Sequence, residues 1–297
     1  MYDAIIVGGG PAGLSAALIL GRCRRRVVLF DTRQPRNARS RGLHGFLTRE
    51  GIQPLDLLEI AREQLKPYAI EMRETLVVAC ACERDGFRVT LEDGSKLRSR
   101  KLLLATGVVD RVPQIAGMEN FYGTSVFHCP FCDGWEMRDQ PLAAYGRGPG
   151  GAGLAISLLT WSRDVVLCTD GMARLSAADR ERLSRRGIEV RAQRIARLEG
   201  TGGVLERIVF QTGDALPRRG MFFSTGQQQA CALANQLGCH FSLKGAVRAN
   251  HREETNVPGL YVAGDASRDV QLAIVAAAEG AKAGIAIHKA LETEAGG

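Results

Sequence analysis

The chain has 297 residues, of which 45% are hydrophobic and 24% are charged, so general disorder is excluded. At roughly 150 residues per domain, this length predicts two domains that each bury a core. Glycine is unusually frequent, at 35 residues, which indicates many turns and close backbone approaches and is typical of nucleotide-binding enzymes. The net charge of +7 comes from 39 basic residues scattered among 32 acidic ones, so we expect no nucleic-acid partner.

The start of the sequence has no pattern typical of a leader peptide. The first three residues lead directly into an apolar strand, without a basic region or a cleavage site. The uncharged stretch 4–21 has the length of a membrane span, but the motif GGGPAG interrupts it. We therefore expect a strand, a turn and a helix there, and no membrane partner. A cytoplasmic location follows as an expectation, with the eight cysteines in a reducing environment.

The first chemical motif is a glycine-rich turn between an apolar strand and a helix. Gly8, Gly10 and Gly13 follow the pattern G-x-G-x-x-G, which allows a tight turn, room for a pyrophosphate and close helix–strand packing. A phosphate then lies at the helix N-terminus, where free amides and the helix dipole favour anions. A second apolar strand ends at Asp31, which is placed to accept hydrogen bonds from a ribose diol. An ordinary glycine turn is the alternative, which this complete pattern disfavours.

Two further segments complete a pattern seen in one class of flavoproteins. The stretch LYVAGDAS is an apolar strand that ends in glycine and aspartate, and LLLATGV occurs at 102–108. Together with GGGPAG, these segments resemble the two-dinucleotide-fold flavoproteins, in which the aspartate contacts the ribityl–phosphate region of FAD. The resemblance implies FAD rather than NAD at the first site. The residues that we assign to FAD are Gly8, Gly10, Pro11, Ala12, Gly13, Asp31, Asn37, Ala105, Thr106, Gly107, Gly264, Asp265, Gln271, Leu272 and Ala273.

The motif HCPFCDGW carries the chemistry, because Cys129 and Cys132 form a C-x-x-C pair. One half of a zinc site is the alternative interpretation. The sequence offers no second C-x-x-C and no spaced histidine pair to complete such a site, so we predict a redox dithiol and no metal. Asp133 adds a carboxyl that can move a proton to or from a thiol or a reduced flavin.

The order of these motifs is similar to that of the low-molecular-weight thioredoxin reductases over essentially the whole chain. The CPFCDGWE variant resembles a branch that includes dithiol oxidases acting on small natural products such as gliotoxin and holomycin. The resemblance implies that Cys132 faces the flavin, that Cys129 attacks the substrate disulfide and that Asp133 is the acid–base group. It also implies a homodimer whose partner is a thioredoxin-like protein or a small dithiol or disulfide.

A second glycine loop, GRGPGG, lies between an apolar strand and a predicted helix that runs through 156–161. The family binds NADPH here through a basic cluster, because the 2′-phosphate needs cations. This sequence has an acid instead: Asp170 repels a 2′-phosphate and suits a free ribose diol. We therefore expect NADH to be favoured over NADPH, or slow use of both, unless Arg174 or Arg180 compensates; a domain kept only to carry the dithiol is the alternative. The residues assigned to this site are Gly146, Gly148, Gly151 and Asp170.

These motifs predict an α/β fold with two dinucleotide-binding, Rossmann-like, three-layer domains, the second inserted into the first. The FAD-binding domain comprises residues 1–113 and 244–297, and the inserted domain with the dithiol comprises 114–243. The hinges that let the inserted domain rotate in the family are expected at 112–114 and 242–244.

The segment 36–51 is a polar loop that is too long for a simple connection. By the same resemblance it wraps the pyrophosphate of FAD, with Asn37 as a candidate contact. His44 in this loop is placed to approach the flavin or the substrate, and a merely structural histidine is the alternative.

The predicted function is that of an FAD-dependent pyridine nucleotide-disulfide oxidoreductase of thioredoxin reductase type, with disulfide reduction as the first interpretation. Oxygen-dependent disulfide formation in a small dithiol is the alternative, as is a related reductase with an electron donor other than NADPH. The same parts permit both directions, because direction follows the relative reduction potentials. A flavoprotein monooxygenase or electron-transfer reductase without a thiol pair is a different class, which the C-x-x-C spacing disfavours. No sequence feature favours a non-enzymatic redox sensor.

Overall fold

The structure is a computed structural model that describes residues 1–267 and 270–295, so four residues of the predicted segment 244–297 lie outside the description. The described residues form eight helices: α1 (Pro11–Arg22), α2 (Pro54–Glu63), α3 (Met118–Phe121), α4 (Pro130–Asp133), α5 (Gly148–Leu158), α6 (Ala177–Ser184), α7 (Leu233–Gln236) and α8 (Ala273–Ala295). They also form 17 strands: β1 (Tyr2–Val7), β2 (Val27–Phe30), β3 (Ile70–Arg73), β4 (Val77–Glu83), β5 (Gly86–Leu91), β6 (Lys96–Leu104), β7 (Val108–Asp110), β8 (Val126–Phe127), β9 (Leu142–Tyr145), β10 (Val165–Cys168), β11 (Glu189–Arg191), β12 (Ile195–Thr201), β13 (Val204–Phe210), β14 (Ala215–Pro217), β15 (Gly220–Phe223), β16 (Gln227–Gln229) and β17 (Leu260–Val262).

Two compact units make up the chain: unit 1 contains a seven-stranded sheet, and unit 2 contains a five-stranded and a three-stranded sheet. Unit 1 comprises Met1–Ala38, Gly45–Val109 and Gln228–Gly297, and unit 2 comprises Arg39–His44 and Asp110–Gln227. Most of unit 2 is therefore inserted into the sequence of unit 1. The predicted α/β class, with a second domain inserted into the first, is confirmed.

The predicted limits of the insertion, 114–243, stay a prediction, and the two units divide the chain differently. Residues 228–243 belong to unit 1, because α7 packs on β4 and its Gln236 accepts a hydrogen bond from the Cys80 amide over 3.0 Å. The segment 39–44 belongs to unit 2, although it precedes the insertion in the sequence.

The sheet of unit 1 has seven strands, and five of them, β3, β2, β1, β6 and β17, are parallel. β2 is buried throughout and β1 over its last four residues, as expected for strands covered on both faces. On one face, α1 and α8 touch backbone to backbone, because a Cβ atom added to Gly280 would lie 1.9 Å from the carbonyl oxygen of Ala12. Helix α7 contributes to the core on the other face.

The cofactor segments predicted from the sequence leave this sheet at one edge. Val7 at the end of β1 pairs with Leu104 at the end of β6, and Leu104 also pairs with Val262 at the end of β17. Because the three strands are parallel, the glycine loop, the ATG segment and the Gly-Asp segment that follow them lie side by side.

Unit 2 combines a five-stranded parallel sheet, in the order β11-β10-β9-β15-β8, with a three-stranded antiparallel sheet of β12, β13 and β14. Helix α5 connects β9 to β10, and it ends at Leu158 rather than at the predicted Trp161. The connecting strands β7 and β16 pair with each other. No helix in the described part of the chain is long and apolar enough to cross a membrane.

Candidate redox site and cofactor loops

The first glycine loop leads from β1 into α1 and leaves the N-terminus of the helix open. Gly8 has a φ of 110°, and a Cβ atom there would lie 2.2 Å from the carbonyl oxygen of Ala105, so a larger residue is excluded. Gly10 is the N-cap of α1, and a Cβ atom there would meet no described atom within 4 Å. Pro11 occupies the first helical position, where a missing amide costs no helical hydrogen bond. This open helix terminus suits a pyrophosphate.

Asp31 directly follows β2, and two donors hold its carboxylate. The Nη2 atom of Arg62, on α2, lies 2.6 Å from Oδ2, and the amide of Arg33 donates to Oδ1 over 3.1 Å. Because each carboxylate oxygen accepts two hydrogen bonds, Asp31 retains capacity for a ribose hydroxyl. Arg62 was not predicted from the sequence, since nothing in its local pattern distinguishes it from other arginines on a helix.

Arg36 joins two of the residues predicted to bind FAD. Its Nη1 atom lies 2.9 Å from Oδ2 of Asp265 and 2.8 Å from Oε1 of Gln271. The Arg36 and Asp265 side chains are mostly buried, so their charges are only partly screened by water. Asn37 is the next residue along the same turn. Asn37 was predicted from the sequence and Arg36 was not, although Arg36 places a cation beside two residues predicted to bind FAD.

The other residues predicted for FAD lie at the same sheet edge. Ala105 donates its amide to the carbonyl oxygen of Val7 over 2.8 Å, and the amide of Gly264 donates to Oε2 of the buried Glu279 over 2.8 Å. An open helix terminus, a nearby cation and an acceptor for a ribose diol are what FAD requires, so these residues fit the cofactor. The remaining members of the set in this region are Ala12, Gly13, Thr106, Gly107, Leu272 and Ala273.

The predicted dithiol is a disulfide in the structure. Cys129 is the N-cap of the short helix α4, and Cys132 lies in that helix, with a Cα–Cα distance of 5.3 Å between them. Pro130 starts the helix, and the amides of Cys132 and Asp133 both donate to the carbonyl oxygen of Cys129 over 3.2 Å. Gly134 follows because a Cβ atom there would lie 2.4 Å from the carbonyl oxygen of Pro130. The motif CPFCDG thus forms one tight helical turn that presents two sulfur atoms.

Asp133 lies beside this disulfide, and burial raises the pKa of its carboxyl to about 7. The charge of His44 lowers this pKa and that of Glu136 raises it. His44 and Glu136 are themselves neighbours, with 3.6 Å between Nε2 and Oε1. A carboxyl with a pKa near neutrality can both donate and accept a proton, which matches the acid–base role predicted for Asp133.

His128, which immediately precedes the dithiol, belongs to a second polar group that the sequence analysis did not assign. Its Nδ1 atom lies 3.7 Å from Oδ2 of Asp110 and 3.4 Å from the hydroxyl of Tyr122. The Tyr122 hydroxyl also donates to Asp110 over 3.2 Å. Only the position of His128 next to a cysteine signals this group, because Asp110 and Tyr122 lie in other elements.

Two exposed aromatic side chains flank the disulfide. Phe131, between the two cysteines, is 75% exposed, and Trp135 is 64% exposed. Phe131 contacts Trp161 edge to face, with 5.9 Å between ring centroids, and the guanidinium of Arg138 lies 4.3 Å from the centre of the Trp135 ring. Phe131 therefore exposes an apolar ring between the two cysteines in the sequence, and Trp135 exposes a ring on which Arg138 is stacked.

The second glycine loop, in contrast to the first, is bonded to its own chain. Gly148 has a φ of 56°, and its amide donates to the carbonyl oxygen of Ala173 over 2.8 Å. The amide of Gly151 donates to the carbonyl oxygen of Arg147 over 3.2 Å, and Pro149 has no amide. The Gly151 bond is the first hydrogen bond within α5, and a proline also begins α1, so the bonded amide of Gly148 is what distinguishes this loop from the first.

Asp170, which was predicted to bind a ribose, makes several bonds inside unit 2. Oδ1 accepts the amide of Ile195 over 2.9 Å, and Oδ2 accepts the hydroxyl of Tyr145 over 3.2 Å. Arg147 extends over the end of β10 and donates to the carbonyl oxygens of Thr169 and Asp170. The predicted contact between Asp170 and a ribose stays a prediction. The bonds that the Asp170 carboxylate makes with Ile195 and Tyr145 argue against it. The second loop therefore offers a dinucleotide phosphate one amide fewer than the first loop, and its acid is bonded within unit 2.

Among residues 1–267 and 270–295, no three or more His, Cys, Asp or Glu side chains form a group that could hold a metal ion.

Similarity to known proteins covers nearly the whole chain. A family model described as "Pyridine nucleotide-disulphide oxidoreductase" matches residues 2–280. A curated relative, a probable thioredoxin reductase of Arthroderma benhamiae, is 30% identical and covers 99% of this chain and 81% of its own length.

Two solved structures resemble the fold over nearly all of the chain. A putative thioredoxin reductase TrxB from Bacillus anthracis has a TM-score of 0.93 at 34% identity and covers 99% of both chains. The structure of HlmI has a TM-score of 0.94 at 34% identity, covering 99% of this chain and 93% of the other.

Proposed function

We propose a direction of electron flow and a substrate class, on the premise that this chain belongs to the pyridine nucleotide-disulphide oxidoreductase family. The chain is an FAD-dependent enzyme of thioredoxin reductase type, which exchanges electrons between flavin, a dithiol and a disulfide or dithiol substrate. The proposal is that it oxidises a small dithiol to a disulfide at Cys129–Cys132, with dioxygen as the final oxidant. The sequence analysis held this as the alternative to disulfide reduction.

The chemistry at the cysteines balances as two thiol–disulfide exchanges. A substrate thiolate attacks Sγ of Cys129, which breaks the bond to Cys132 and leaves Cys132 as a thiolate. The second substrate thiol then displaces Cys129, so that the substrate becomes a disulfide and the two cysteines hold two electrons. Asp133 takes a proton from an entering thiol and gives one to a leaving thiolate. FAD, when bound, would supply the two-electron acceptor for the reduced cysteine pair, with dioxygen as the final oxidant, which is reduced to hydrogen peroxide.

The closed second glycine loop is the observation that carries this direction. A reductase must receive electrons from a dinucleotide, whose phosphates need the amides at the start of α5. The Gly148 amide is bonded to Ala173 instead, and Arg147 covers the end of β10. Oxidation of a dithiol needs no dinucleotide, so it agrees with the closed loop.

The aromatic border of the dithiol supports a small apolar substrate. Phe131 and Trp135 expose large ring faces within three residues of the cysteines. A small molecule with an apolar body beside its two thiols gains contact area there while its sulfur reaches Cys129.

Nicotinamide-driven disulfide reduction is the second candidate. The family description and the names of the relatives favour it, and GRGPGG retains the glycine spacing of a dinucleotide loop. The homodimer, the cytoplasmic location and the thioredoxin-like partner expected from the sequence likewise remain proposals.

Two assays on the FAD-loaded enzyme decide between these candidates. Dithiothreitol, as a small dithiol probe, is expected to be oxidised with uptake of dioxygen and formation of hydrogen peroxide, and Cys129→Ser is expected to abolish this. Oxidised thioredoxin supplied with NADH or NADPH is expected to be reduced slowly or not at all. Brisk nucleotide-driven thioredoxin reduction without dithiol oxidation would exclude the proposed direction.

A further inference from the structure

A buried carboxyl group on α8 bonds the turn that carries Asp265. This turn follows β17 and begins at Gly264, whose φ of 80° favours glycine. The carbonyl oxygen of Gly264 accepts the amide of Ser267 over 2.9 Å, which closes the turn. The amide of Gly264 donates to Oε2 of Glu279 over 2.8 Å, and Glu279 is buried. Both backbone polar groups of Gly264 are therefore bonded.

The same part of α8 also lies against the start of α1. A Cβ atom on Gly264 would lie 3.0 Å from the Cβ atom of Ala12, in the first turn of α1. A Cβ atom on Gly280, the residue after Glu279, would lie 1.9 Å from the carbonyl oxygen of Ala12. The turn, the start of α1 and this part of α8 are thus packed together within unit 1. The bond from Gly264 to Glu279 therefore fixes the turn next to the helix terminus that suits a pyrophosphate.

Asp265, the next residue along the turn, is the one predicted to contact FAD. Its Oδ2 atom lies 2.9 Å from Nη1 of Arg36, so the position of the turn also sets the position of this ion pair. A buried amide that loses its acceptor carries the cost of its own desolvation. The bond to Glu279 therefore favours the one conformation of the turn in which the Gly264 amide is paired.

We propose that Glu279 is a positioning residue for FAD, which holds the Gly264 amide and thereby keeps Asp265 in place beside the start of α1. The inference rests on the predicted contact between Asp265 and FAD. Without this bond the turn populates other conformations. The affinity for FAD then falls in proportion to the fraction of chains that keep the competent conformation.

Hydrogen exchange in the full chain without FAD tests the bond itself. Glu279→Met keeps a side chain of similar length but removes the acceptor, whereas Glu279→Gln keeps an oxygen that accepts the amide. We expect the peptide 260–267 to exchange about tenfold faster in Glu279→Met than in the parent. In Glu279→Gln this peptide is expected to exchange as slowly as in the parent. Equal exchange in Glu279→Met and the parent would overturn the inference.

Titration of the same chains with FAD, followed by flavin fluorescence, measures the dissociation constant. We expect it to rise about tenfold in Glu279→Met and to stay within about twofold of the parent in Glu279→Gln. Leu291→Ala is the control, because it removes a fully buried side chain about three turns further along α8. This variant is expected to unfold more easily and to bind FAD normally. A side chain that only stabilised the fold would behave like Leu291 and would not be rescued by glutamine.

A double-mutant cycle tests whether Glu279 acts through Asp265. Asp265→Ala is expected to weaken FAD binding by itself. Adding Glu279→Met to it is expected to cause little further loss, because the side chain that Glu279 positions is already gone. Additive losses, normal FAD binding in Asp265→Ala or in Glu279→Met, or an equal loss in Leu291→Ala would each overturn the inference. If Glu279→Met does not fold, Glu279→Asp replaces it, since its carboxyl group is one methylene shorter, and normal FAD binding then overturns the inference.

These measurements are independent of the reaction at the dithiol. If FAD binding follows the expected pattern while the loaded enzyme does not oxidise dithiothreitol, the role of Glu279 stands and the proposed direction of electron flow fails. If the loaded enzyme oxidises dithiothreitol while Glu279→Met binds FAD as the parent does, only the role of Glu279 is overturned.

Discussion

The amide of Gly148 donates a hydrogen bond to the carbonyl oxygen of Ala173, and this bond distinguishes the second glycine loop from the first. Both loops have the pattern G-x-G-P-x-G, so their sequences predict the same phosphate site twice. In the first loop, Gly10 has a φ of −76° and is the N-cap of an open helix. Gly148 instead has a φ of 56° and is bonded to the segment after β10. Similar glycine spacing therefore leads to one open loop and one closed loop.

The first prediction concerns electron entry. We expect anaerobic reduction of the bound flavin by NADH and by NADPH to be slow, without a preference for NADPH, because the α5 terminus is closed and Asp170 is acidic. Flavin absorbance after rapid mixing measures the rate. Dithiothreitol added to the same sample is the control, since it shows that the flavin is reducible. Rapid bleaching by NADPH would contradict the prediction and point to Arg174 or Arg180 as the phosphate contact.

The second prediction is that Asp170 supports the fold of unit 2. Asp170→Ala leaves the amide of Ile195 without its 2.9 Å acceptor, so the free energy of unfolding is expected to fall by about 1–3 kcal/mol. Urea unfolding followed by circular dichroism measures the change. Asp214→Ala, at an exposed position of the same unit, is the control and is expected to stay within about 0.5 kcal/mol of the parent. Equal stability of both variants would argue that Asp170 is free for a ligand.

The sequence was sufficient for features whose signals are local. An apolar run, a glycine turn and a helix pattern lie within about 30 residues of each other, so both dinucleotide folds and the α/β class were predictable. The pair Cys129 and Cys132 was equally predictable, because its spacing by itself brings the two sulfur atoms together.

Features made by distant residues could not be predicted in this way. Arg36 contacts Asp265, which lies 229 positions away in the sequence, and nothing near either residue indicates the other. His44 reaches the turn after α4 only because the segment 39–44 packs on unit 2. Closure of the second loop likewise depends on the course of the chain around Ala173, which glycine spacing does not encode.

The third prediction tests the cation at the FAD site. The protein is expected to purify yellow with FAD, and Arg36→Ala is expected to weaken FAD binding roughly tenfold to a hundredfold. The reason is that Asp265 loses its 2.9 Å partner and then faces an anionic cofactor alone. Quenching of flavin fluorescence during titration of the apoprotein measures the dissociation constant. Arg33→Ala is the control, because it removes an exposed arginine side chain that is paired with Glu74. This variant is expected to bind FAD normally. Similar losses of FAD affinity in both variants would exclude a specific role for Arg36.

The fourth prediction concerns the thiol count. The denatured oxidised chain is expected to show six reactive thiols and the reduced chain eight, because all eight cysteines lie in the described part of the chain and only Cys129 and Cys132 are paired there. Cys129→Ser and Cys132→Ser are each expected to abolish dithiol oxidation. Cys23→Ser, which lies in unit 1, is expected to leave turnover unchanged. Eight thiols before reduction, or normal turnover in Cys129→Ser, would refute the assigned dithiol.

The last prediction follows from the raised pKa of Asp133, which is about 7 in the folded chain and about 3.9 in an unfolded chain. Between these values the folded state binds more protons than the unfolded state, so the free energy of unfolding falls as pH rises through this window. Asp133→Asn removes that loss. We expect its stability relative to the parent to increase by about 2 kcal/mol between pH 5 and pH 8, measured by denaturant unfolding at both pH values. Asp214→Asn, at an exposed position, is expected to show no such change. If the difference in the free energy of unfolding between Asp133→Asn and the parent is also the same at both pH values, the Asp133 carboxyl is ionised throughout this range. It then holds no proton to give to a thiolate at neutral pH.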